Sequence, residues 1–316
     1  MKNGIITLGE ALIDFIPVDP SNVTYLKNPG GAPANVAVGA SRLGAKSTFI
    51  GKVGNDMFGK FLEQALKNYG VDTSSMKFSN DYRTAIVFVQ LDNKGERSFT
   101  FYLNQTADQQ LSEDEINSEL FRDHKIFHFG TISLKDQPVK NATLKAIEYA
   151  KNEKMILSFD PNVRLSLWDD HNELKEMIFQ MLNHINVLKI SEEELVFLTG
   201  DSDHSTIHHW MQKYNIDLVF LTAGENGSYV FTKSGKVKTE AIQITVEDTT
   251  GAGDGYVAGM LYQLNNNFKT LKEIQIEDAL KIAKFASVTG GLAASKKGAM
   301  TALPTIDEVN KYLNRI

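Results

Sequence analysis

Short apolar segments rich in β-branched residues alternate with helix-period segments along most of this chain, and this alternation restricts the fold more than any other feature. Each apolar segment ends in a Gly, Asp or Ser turn and is followed by a helical pattern, which is typical of strand–turn–helix units. The clearest segments are GIITLG (4–9), STFIGKVG (47–54), KIFHFG (125–130), MILSFD (155–160), NVLKIS (186–191) and LVFLTAG (218–224). They predict an α/β fold, a three-layer αβα sandwich with a mostly parallel central sheet. Ligands of such sheets bind at the carboxyl ends of the strands.

Two regions have no helix between their predicted strands. Residues 12–28 and 82–103 have the pattern of β-hairpins, and the second turns at DNKG (92–95). We expect them to form a small β-sheet that projects from the main layer and covers its carboxyl edge as a lid. The predicted division is 1–11, 33–81 and 107–316 for the α/β domain that binds nucleotide and substrate, and 12–32 and 82–106 for the lid.

Composition excludes several classes of protein. The formal charge is −6, so the excess of Lys and Arg expected of a nucleic-acid or anionic-membrane binder is missing. The chain has no cysteine, which excludes disulfides, thiolate catalysis and Cys-ligated zinc and fits a reducing compartment. Glu10 and Asp14 interrupt the first apolar run, so it reads as the opening strand and not as a signal peptide. We expect a cytoplasmic protein without nucleic-acid or membrane partners.

The stretch EDTTGAGDGYVAG (247–259) places a carboxylate at the mouth of a glycine-rich turn, just before a predicted helix. Glycines let successive N–H groups point into one concavity, and a helix N-terminus adds a partial positive charge, so this turn predicts an anion site. It is not a Walker A loop, because Asp254 stands where Lys would follow the last glycine. A carboxylate there suits a general base acting on a hydroxyl that attacks a phosphoryl group. The alternative is that Asp254 only caps the helix.

Two long motifs make the chain resemble a known family. DTTGAGDGY (248–256) and GKVGNDMFG (51–59) resemble the carboxyl- and amino-terminal signatures of the ribokinase-like (PfkB) carbohydrate kinases. The similarity covers almost the whole chain. GEALIDF (9–15), GGAPANVA (30–37), HFGTISL (128–134), DPNVR (160–164) and KISEEE (189–194) are most similar to the fructokinase branch. The resemblance implies that Asp254 is the catalytic base and that the N–H groups of Gly251, Ala252 and Gly253 form the anion hole.

The predicted sugar site gathers around the lid. A carboxylate accepts two hydroxyl hydrogen bonds, and Asp14 falls where the first strand meets the lid. The resemblance implies that Asp14, Gly31 and Asn35 hold substrate hydroxyls, with Gly30 letting the backbone approach the ligand. It also assigns the substrate side to Asn162 and Arg164. Phe101 and Tyr102, at the end of the second hairpin, could pack against a sugar face, although simple sheet packing is the alternative.

One departure from the family pattern bears on the substrate. Many relatives carry Arg after the Phe-Tyr pair, and in the branch that phosphorylates 2-keto-3-deoxygluconate a cation in this region meets the substrate carboxylate, but this chain has Leu103. A neutral ketohexose is therefore favoured, because a buried carboxylate would lack a partner. Arg164 and Arg97 keep the acidic sugar open as an alternative.

The nucleotide and metal residues follow from the resemblance. Ser191 and Glu194 have the spacing of a capping box, and the family places at Glu194 a residue that organises magnesium waters. Thr222, Gly224 and Gly227 form a turn against which a nucleotide could lie. The remaining implied residues are Lys189 with the nucleotide, Ser287 at the adenine, and Asp248, Thr250, Ala293 and Gly298 around a monovalent cation, K⁺.

The resulting expectation is an ATP- and Mg²⁺-dependent kinase that phosphorylates a primary hydroxyl of a free ketohexose, D-fructose above all. The alternatives are a 2-keto-3-deoxygluconate kinase or another sugar kinase of the family, and a catalytically silent sugar sensor. A dinucleotide-dependent dehydrogenase is disfavoured, because LGEALID stands where G-x-G-x-x-G would follow the first strand. The exposed edges and apolar face of a lid sheet also predict a homodimer built lid to lid.

Overall fold

The structure, a computed structural model, describes residues 2–92 and 97–315, so the predicted turn at 92–95 lies largely outside the described residues. The main layer is built on a nine-stranded sheet in the order β13-β12-β11-β10-β9-β8-β1-β4-β5. Its strands are β1 (Ile5–Leu8), β4 (Ser47–Gly54), β5 (Met76–Ser79), β8 (Ile126–Phe129), β9 (Ile156–Phe159), β10 (Val187–Ser191), β11 (Leu218–Thr222), β12 (Ser228–Thr232) and β13 (Gly235–Thr239). All pairs are parallel except those that β12 makes with β11 and β13.

Helices cover both faces of this sheet. They are α1 (Ala32–Arg42), α2 (Met57–Asn68), α3 (Leu120–Asp123), α4 (Val139–Asn152), α5 (His171–Leu182), α6 (Glu192–Thr199), α7 (Ser205–Tyr214), α8 (Ala252–Asn267), α9 (Ile276–Ala294) and α10 (Ile306–Leu313). Helices α4 to α7 pack on one face and α1, α8 and α9 on the other. Because both faces are buried, the strands are nearly continuous apolar runs; β1, with Ile5, Ile6 and Leu8 fully buried, is an example. The predicted α/β sandwich is confirmed.

A second sheet of four strands stands at one edge of the main layer. It has the order β3-β2-β6-β7, with β2 (Leu12–Pro17), β3 (Tyr25–Gly30), β6 (Ile86–Leu91) and β7 (Arg97–Tyr102). These strands come from the two segments predicted to lack helices. One face packs its aromatic rings against α2: Phe15 stacks on Phe88 with ring centroids 4.9 Å apart and meets Phe58 edge-on at 5.9 Å. Aromatic pairs of this kind contribute about 0.5–1.5 kcal/mol beyond their buried area and hold the small sheet to the main layer.

The connections between the two sheets determine where the ligand-binding cleft lies. Strand β1 lies inside the sheet between β8 and β4, and the chain leaves its carboxyl end directly into β2 of the small sheet. It returns from β3 into the N-terminus of α1. The carboxyl ends of β1, β9 and β10 therefore face the small sheet across a cleft. No helix among the described residues meets the length and apolarity that a bilayer crossing requires.

Candidate active site

The cleft between the two sheets contains a cavity of about 570 Å³. Ten of the residues predicted from the sequence line this cavity: Asp14, Gly31, Asn35, Asn162, Arg164, Lys189, Thr250, Gly251, Gly253 and Asp254. They come from the carboxyl ends of several strands, from the small sheet and from the N-termini of α1 and α8, so segments distant in sequence meet here. A cavity of this size, with convergent polar groups, is typical of a small-molecule site.

Asp254 lies in the first turn of α8 and is 9% exposed, at the inner wall of the cavity. Its Oδ2 accepts a hydrogen bond of 2.8 Å from Nδ2 of Asn35, in the first turn of α1. Burial raises the pKa of Asp254 to about 6, while the Asn35 hydrogen bond opposes the shift by favouring the ionised form. The carboxyl is thus oriented, shielded from bulk water, and able to change its protonation state near neutral pH.

The glycine-rich turn before Asp254 exposes backbone donors to the cavity. Gly251 caps α8 with a φ of 79°, and a side chain there would press on Ala299 at 3.0 Å. The N–H groups of Gly251 and Gly253 have no acceptor within the described chain, whereas Ala252 donates its N–H to the Thr249 carbonyl at 3.1 Å. Two of the three predicted anion-hole donors are therefore free, and Ala252 is engaged in a turn. With the dipole of the 16-residue helix behind them, these donors favour an anion.

Asp14 reaches the cavity from β2 and pairs across the sheet with Asn28 and Val87. A side chain at Gly30 would overlap its carboxylate, so Gly30 makes room for Asp14 and does not itself line the cavity. Withdrawal from water raises the pKa of Asp14 to about 7, repulsion from Asp254 adds to this, and Arg164 opposes it. At Gly31 the φ of 104° and the closeness of the Glu10 carbonyl both exclude a side chain.

DPNVR brings its polar residues to the carboxyl end of β9. Asn162 has a left-handed φ of 45°, and its N–H bonds to Oδ1 of Asp160 at 3.0 Å. Asp160 also forms an ion pair of 3.1 Å with Lys189, both side chains being buried. Burial lowers the pKa of Lys189, but the carboxylates of Asp160, Glu194 and Asp254 together outweigh burial and raise it, so the amine stays charged. The Lys189 ammonium lies 3.7 Å from where a side chain at Gly253 would begin, beside the free amides of the turn.

Glu194 forms the predicted capping box with Ser191 at the start of α6. Its Oε2 accepts the Ser191 N–H at 2.8 Å, and its Oε1 accepts the Val163 N–H at 2.8 Å. The carboxylate therefore joins α6 to the DPNVR loop, which a simple cap would not do. Burial raises the pKa of Glu194, and the nearby Lys189 opposes this rise. Each oxygen keeps a second lone pair, which fits a magnesium-bound water.

Of the predicted nucleotide residues, Lys189 lines the cavity, whereas Thr222, Gly224, Gly227 and Ser287 lie outside its lining. Thr222 ends β11 opposite Ser191 of β10, and Gly224 follows with a φ of 53° and open space beside it. Gly227 has a different reason to be glycine, because a side chain there would overlap the Thr239 carbonyl. Ser287 is half-buried on α9.

Of the four residues predicted around a monovalent cation, three are joined by hydrogen bonds between two loops, and Ala293 lies in α9. Asp248 accepts the N–H of Thr250 at 2.8 Å and that of Gly298 at 2.9 Å. Gly298 has a φ of 90°. Ala293 is fully buried against α8, and its carbonyl accepts the Lys296 N–H at 3.2 Å. Within the described residues no group of three or more His, Cys, Asp or Glu side chains could hold a metal ion.

Tyr102 is placed differently from the prediction. It alternates with Phe101 along β7, and the Phe101 side chain lines the cavity, whereas the Tyr102 ring contacts Phe88 on the opposite face of the sheet. Its side chain is 56% exposed there. Leu103 packs with Leu12 and Val87 in a small apolar cluster. The side chain of Arg97 lies outside the described part of the chain.

Sequence reasoning missed two carboxyl groups of the site. Asp160 closes the ion pair with Lys189, and Glu10 follows β1 and lines the cavity opposite Asp254. Both directly follow a buried strand or its closing Gly, at the edge where ligands gather, and this position was the available signal. Burial raises the pKa of Glu10 to about 8.

A buried carboxyl facing a polar, sugar-sized cavity beside free helix N-terminal amides defines an enzyme that transfers an anionic group to a hydroxylated small molecule. The model of the pfkB family of carbohydrate kinases matches residues 2–306, and the chain belongs to that family. Among curated proteins, a probable fructokinase-2 of Arabidopsis thaliana is 41% identical over 322 residues, covering 99% of this chain and 96% of the relative.

Solved structures agree with this assignment. A fructokinase of Xylella fastidiosa with bound ATP has a TM-score of 0.94 at 31% identity and covers 100% of this chain and 99% of its own. A double mutant of the fructokinase of Vibrio cholerae O395, with fructose, ADP and a potassium ion bound, has a TM-score of 0.90 at 38% identity, covering 99% of both chains. The similarity extends over the main sheet and the small sheet alike.

Proposed function

We infer that this protein is an ATP-dependent fructokinase, which transfers the γ-phosphoryl group of ATP to the primary 6-hydroxyl of D-fructose and releases fructose 6-phosphate and ADP. The observation that carries this is the placement of Asp254 on the cavity wall, 2.8 Å from Asn35 and next to the free amides of the α8 turn, in a chain 41% identical to a fructokinase relative. This arrangement joins a proton acceptor to an anion site in one cavity.

The reaction follows from these groups. Ionised Asp254 takes the proton of the acceptor hydroxyl as the oxygen attacks the γ-phosphorus, and the bond to the β-phosphate oxygen breaks. The N–H groups of Gly251 and Gly253 and the charge of Lys189 stabilise the negative charge on the transferred group. Magnesium, when bound, supplies charge neutralisation on the phosphates, and Glu194 holds its waters. Ala252 joins the anion hole if its N–H turns from the Thr249 carbonyl to the phosphoryl oxygens.

The acceptor side is built from groups with free hydrogen-bonding capacity. Oδ1 of Asn35 is buried and has no hydrogen-bond partner among the described residues, while its Nδ2 donates to Asp254, which leaves an acceptor ready for a sugar hydroxyl. The Asp14 carboxylate accepts two further hydroxyls, and the backbone at Gly31 lies beside them. Asn162 and Arg164 complete the polar wall. Of the two aromatic residues predicted to pack against the sugar, we assign that role to Phe101, which lines the cavity.

We assign the nucleotide to the neighbouring edge of the sheet, beyond Lys189. The phosphates lie at the α8 turn, the ribose against Thr222, Gly224 and Gly227, and the adenine beside Ser287. Asp248, Thr250, Ala293 and Gly298 form the candidate K⁺ site next to the turn. In support of it, Asp248 ties this loop to the anion hole through the N–H groups of Thr250 and Gly298.

The test is ADP release from ATP over a panel of acceptors: fructose, tagatose 6-phosphate, ribose, 2-keto-3-deoxygluconate and nucleosides. We expect fructose to give the highest kcat/KM, and Asp254→Asn to reduce kcat by about 10²–10⁴-fold. The matched control is Asp170→Asn, the same change at the exposed N-cap of α5. Full turnover in the Asp254→Asn variant would refute the mechanism, and activity restricted to the acidic sugar would refute the substrate.

A second substrate, 2-keto-3-deoxygluconate, is favoured by one observation. Arg164 lines the cavity and acts on Asp14 and Asp254 electrostatically, so a cation faces the acceptor. Against it, Leu103 sits in an apolar cluster where many relatives carry Arg. We therefore rank the neutral ketohexose first. A silent sensor would bind fructose without releasing ADP in the same assay.

We also propose a homodimer formed through the small sheets. The face that carries Asp14 presents apolar side chains to solvent, with Leu26 60% and Phe99 41% exposed, and β3 and β7 are unpaired edges among the described strands. A two-fold partner would cover them. Light scattering should give twice the chain mass of 35.2 kDa, and Leu26→Lys should yield monomers. We place the protein in the cytoplasm, because it has no cysteine and needs ATP.

A further inference from the structure

Helix α1 begins at the substrate cavity without a side-chain cap of its own. Its N-cap residue is Gly31, which offers no acceptor for the amides of the first turn. Glu10, distant in sequence at the carboxyl end of β1, supplies that acceptor: its Oε1 receives the Ala32 N–H at 2.9 Å. Glu10 is 4% exposed. A carboxyl from the middle of the main sheet thus caps the helix.

The capped turn carries the residue that orients the proposed base. The Asn35 N–H donates to the Gly31 carbonyl at 2.8 Å, and its Nδ2 donates to Asp254 at 2.8 Å. One connected series of hydrogen bonds therefore runs from Glu10 through the first turn of α1 to the carboxylate of Asp254. A shift at its first bond would be transmitted to the last, because the intervening residues belong to one helical turn.

We propose that Glu10 is a positioning residue of the phosphoryl transfer, which fixes the first turn of α1 and thereby places Asn35 against Asp254 and Gly31 beside the sugar. This rests on the proposed role of Asp254 as the base. Stability alone does not account for Glu10, because it is buried where Asp108 and Asp254 both repel its negative form.

The part of Glu10 that matters is its acceptor oxygen. Burial raises the pKa of Glu10 to about 8, and the neutral acid still accepts through its carbonyl oxygen. Glutamine presents the same oxygen at the same reach. Methionine has nearly the same length and volume but offers no comparable acceptor. The pair Glu10→Gln and Glu10→Met therefore separates the hydrogen bond from the filling of space.

The test measures kcat, the fructose KM and the acid limb of kcat/KM in the full-length protein. We expect Glu10→Gln to keep kcat within about threefold and Glu10→Met to lower it by about 10–100-fold, since small misplacements near reacting groups are costly. The acid limb should lie at higher pH in the Met than in the Gln variant, because a loosened Asn35 no longer favours the ionised Asp254. Shortening by one methylene in Glu10→Asp should also lower kcat, and this variant serves if the Met protein does not fold.

The matched control is Ser47→Ala. This change removes the buried hydrogen bond that Ser47 Oγ of β4 donates to the carbonyl of Ala37, which lies in α1 away from its N-terminus. It should lower the unfolding temperature without moving kcat or the acid limb. Equal kcat in the Gln, Met and Asp variants would overturn the proposal, and so would an equal loss in the Gln and Met variants. Full activity of Asp254→Asn would instead refute the proposed base and leave the Glu10 comparison as a separate result.

Discussion

At the scale of single residues, the site brings acidic groups together at a cost in stability. Asp14 and Asp254 lie at one cavity, and burial raises the pKa of each; repulsion from Asp254 adds to the rise at Asp14, and repulsion from Asp160 adds to that at Asp254. Only Arg164 and Lys189 oppose the effect on Asp254 by their charge, among the causes resolved for it. Such an arrangement disfavours the empty ionised site and suits one that a polyhydroxylated ligand and bound cations complete.

The hydrogen bond between Asn35 and Asp254 predicts a pH effect. The proposed mechanism needs ionised Asp254, so kcat/KM should fall as pH drops below about 6, the raised pKa of Asp254. Replacing Asn35 by Ala removes a bond that lowers this pKa, so the acid limb should move to higher pH while the fructose KM rises. The profile of Asn68→Ala, an exposed asparagine at the end of α2, should match the parent. An unmoved acid limb in Asn35→Ala would contradict the geometry.

Asp14 predicts a trade between stability and affinity. Its folded pKa of about 7 lies above the ordinary 3.8, so the folded chain binds more protons than the unfolded chain between these values. The parent should therefore lose stability as pH rises from about 4 to 7. Asp14→Asn cannot titrate, so its free energy of unfolding relative to the parent should increase over that range and level off above it. Urea unfolding at several pH values checks this. A difference in the free energy of unfolding between the two proteins that does not change with pH would contradict this prediction. The more stable Asp14→Asn variant should also have a higher KM for fructose.

At the scale of elements, the backbone at the junction of β3 with α1 is tightly constrained beside the cavity. Gly30 makes room for Asp14, Gly31 lies against the Glu10 carbonyl, and Pro33 follows within the first turn of α1. Proline at this position costs no hydrogen bond, because the amides of a first turn have no intrahelical acceptor. The entry to α8 likewise has a glycine, Gly251, at a position where the backbone is left-handed and crowded. Two helix N-termini therefore meet at the cavity, with Asn35 and Asp254 in their first turns joined by one hydrogen bond.

The crowding at Gly31 can be separated from its backbone strain. Gly44 has a φ of 97°, close to the 104° of Gly31, but nothing lies within 4 Å of a side chain added there. We expect Gly44→Ala to cost about 1–2 kcal/mol of unfolding free energy, the cost of a left-handed backbone. Gly31→Ala should cost about 1–3 kcal/mol more through overlap with the Glu10 carbonyl. Urea unfolding gives both values. Equal losses of unfolding free energy in the two variants would show that a side chain at Gly31 does not meet the Glu10 carbonyl. Only Gly31→Ala should raise the KM for fructose.

At the scale of the whole molecule, the cleft between the two sheets is the functional unit. The main sheet contributes rigid strand ends, and the small sheet contributes Asp14 and Phe101 from its cavity face. In the proposed mechanism the two sheets have separate roles: the main layer holds the phosphates and the base, and the small sheet covers the acceptor. We expect closure of the cleft to exclude water, which would otherwise compete as phosphoryl acceptor.

Closure should be visible in hydrogen exchange. With fructose and a non-hydrolysable ATP analogue, amides in residues 97–103 of the small sheet should exchange more slowly, because Phe99 and Phe101 become covered. The Asp254 turn should also be protected, by phosphate binding. The analogue alone should protect only the turn. Unchanged exchange in 97–103 in the full complex would show that the small sheet does not close.

The sequence patterns predicted most strands of the main sheet, and the physical reasons can be named. The six apolar segments correspond to β1, β4, β8, β9, β10 and β11, since buried parallel strands have no polar face and end at Gly, Asp or Ser. The short edge strand β5 was not among them, because its residues are partly exposed and carry no such signal. The small sheet was anticipated from period-two alternation without an intervening helix. Its identity as a separate domain with the given bounds remains a prediction.

The amino-acid sequence by itself determined the chemistry available to the site: a carboxylate after a glycine-rich turn, a second carboxylate after the first strand, and glycines where backbone must approach a ligand. Local rules suffice for these, because turns and helix starts depend on near neighbours. Only the tertiary structure decided that Phe101 and not Tyr102 lines the cavity, that Ala252 is engaged with Thr249, and that Glu10 caps α1. Those facts depend on strand register and on contacts between residues far apart in the chain, which no local pattern encodes.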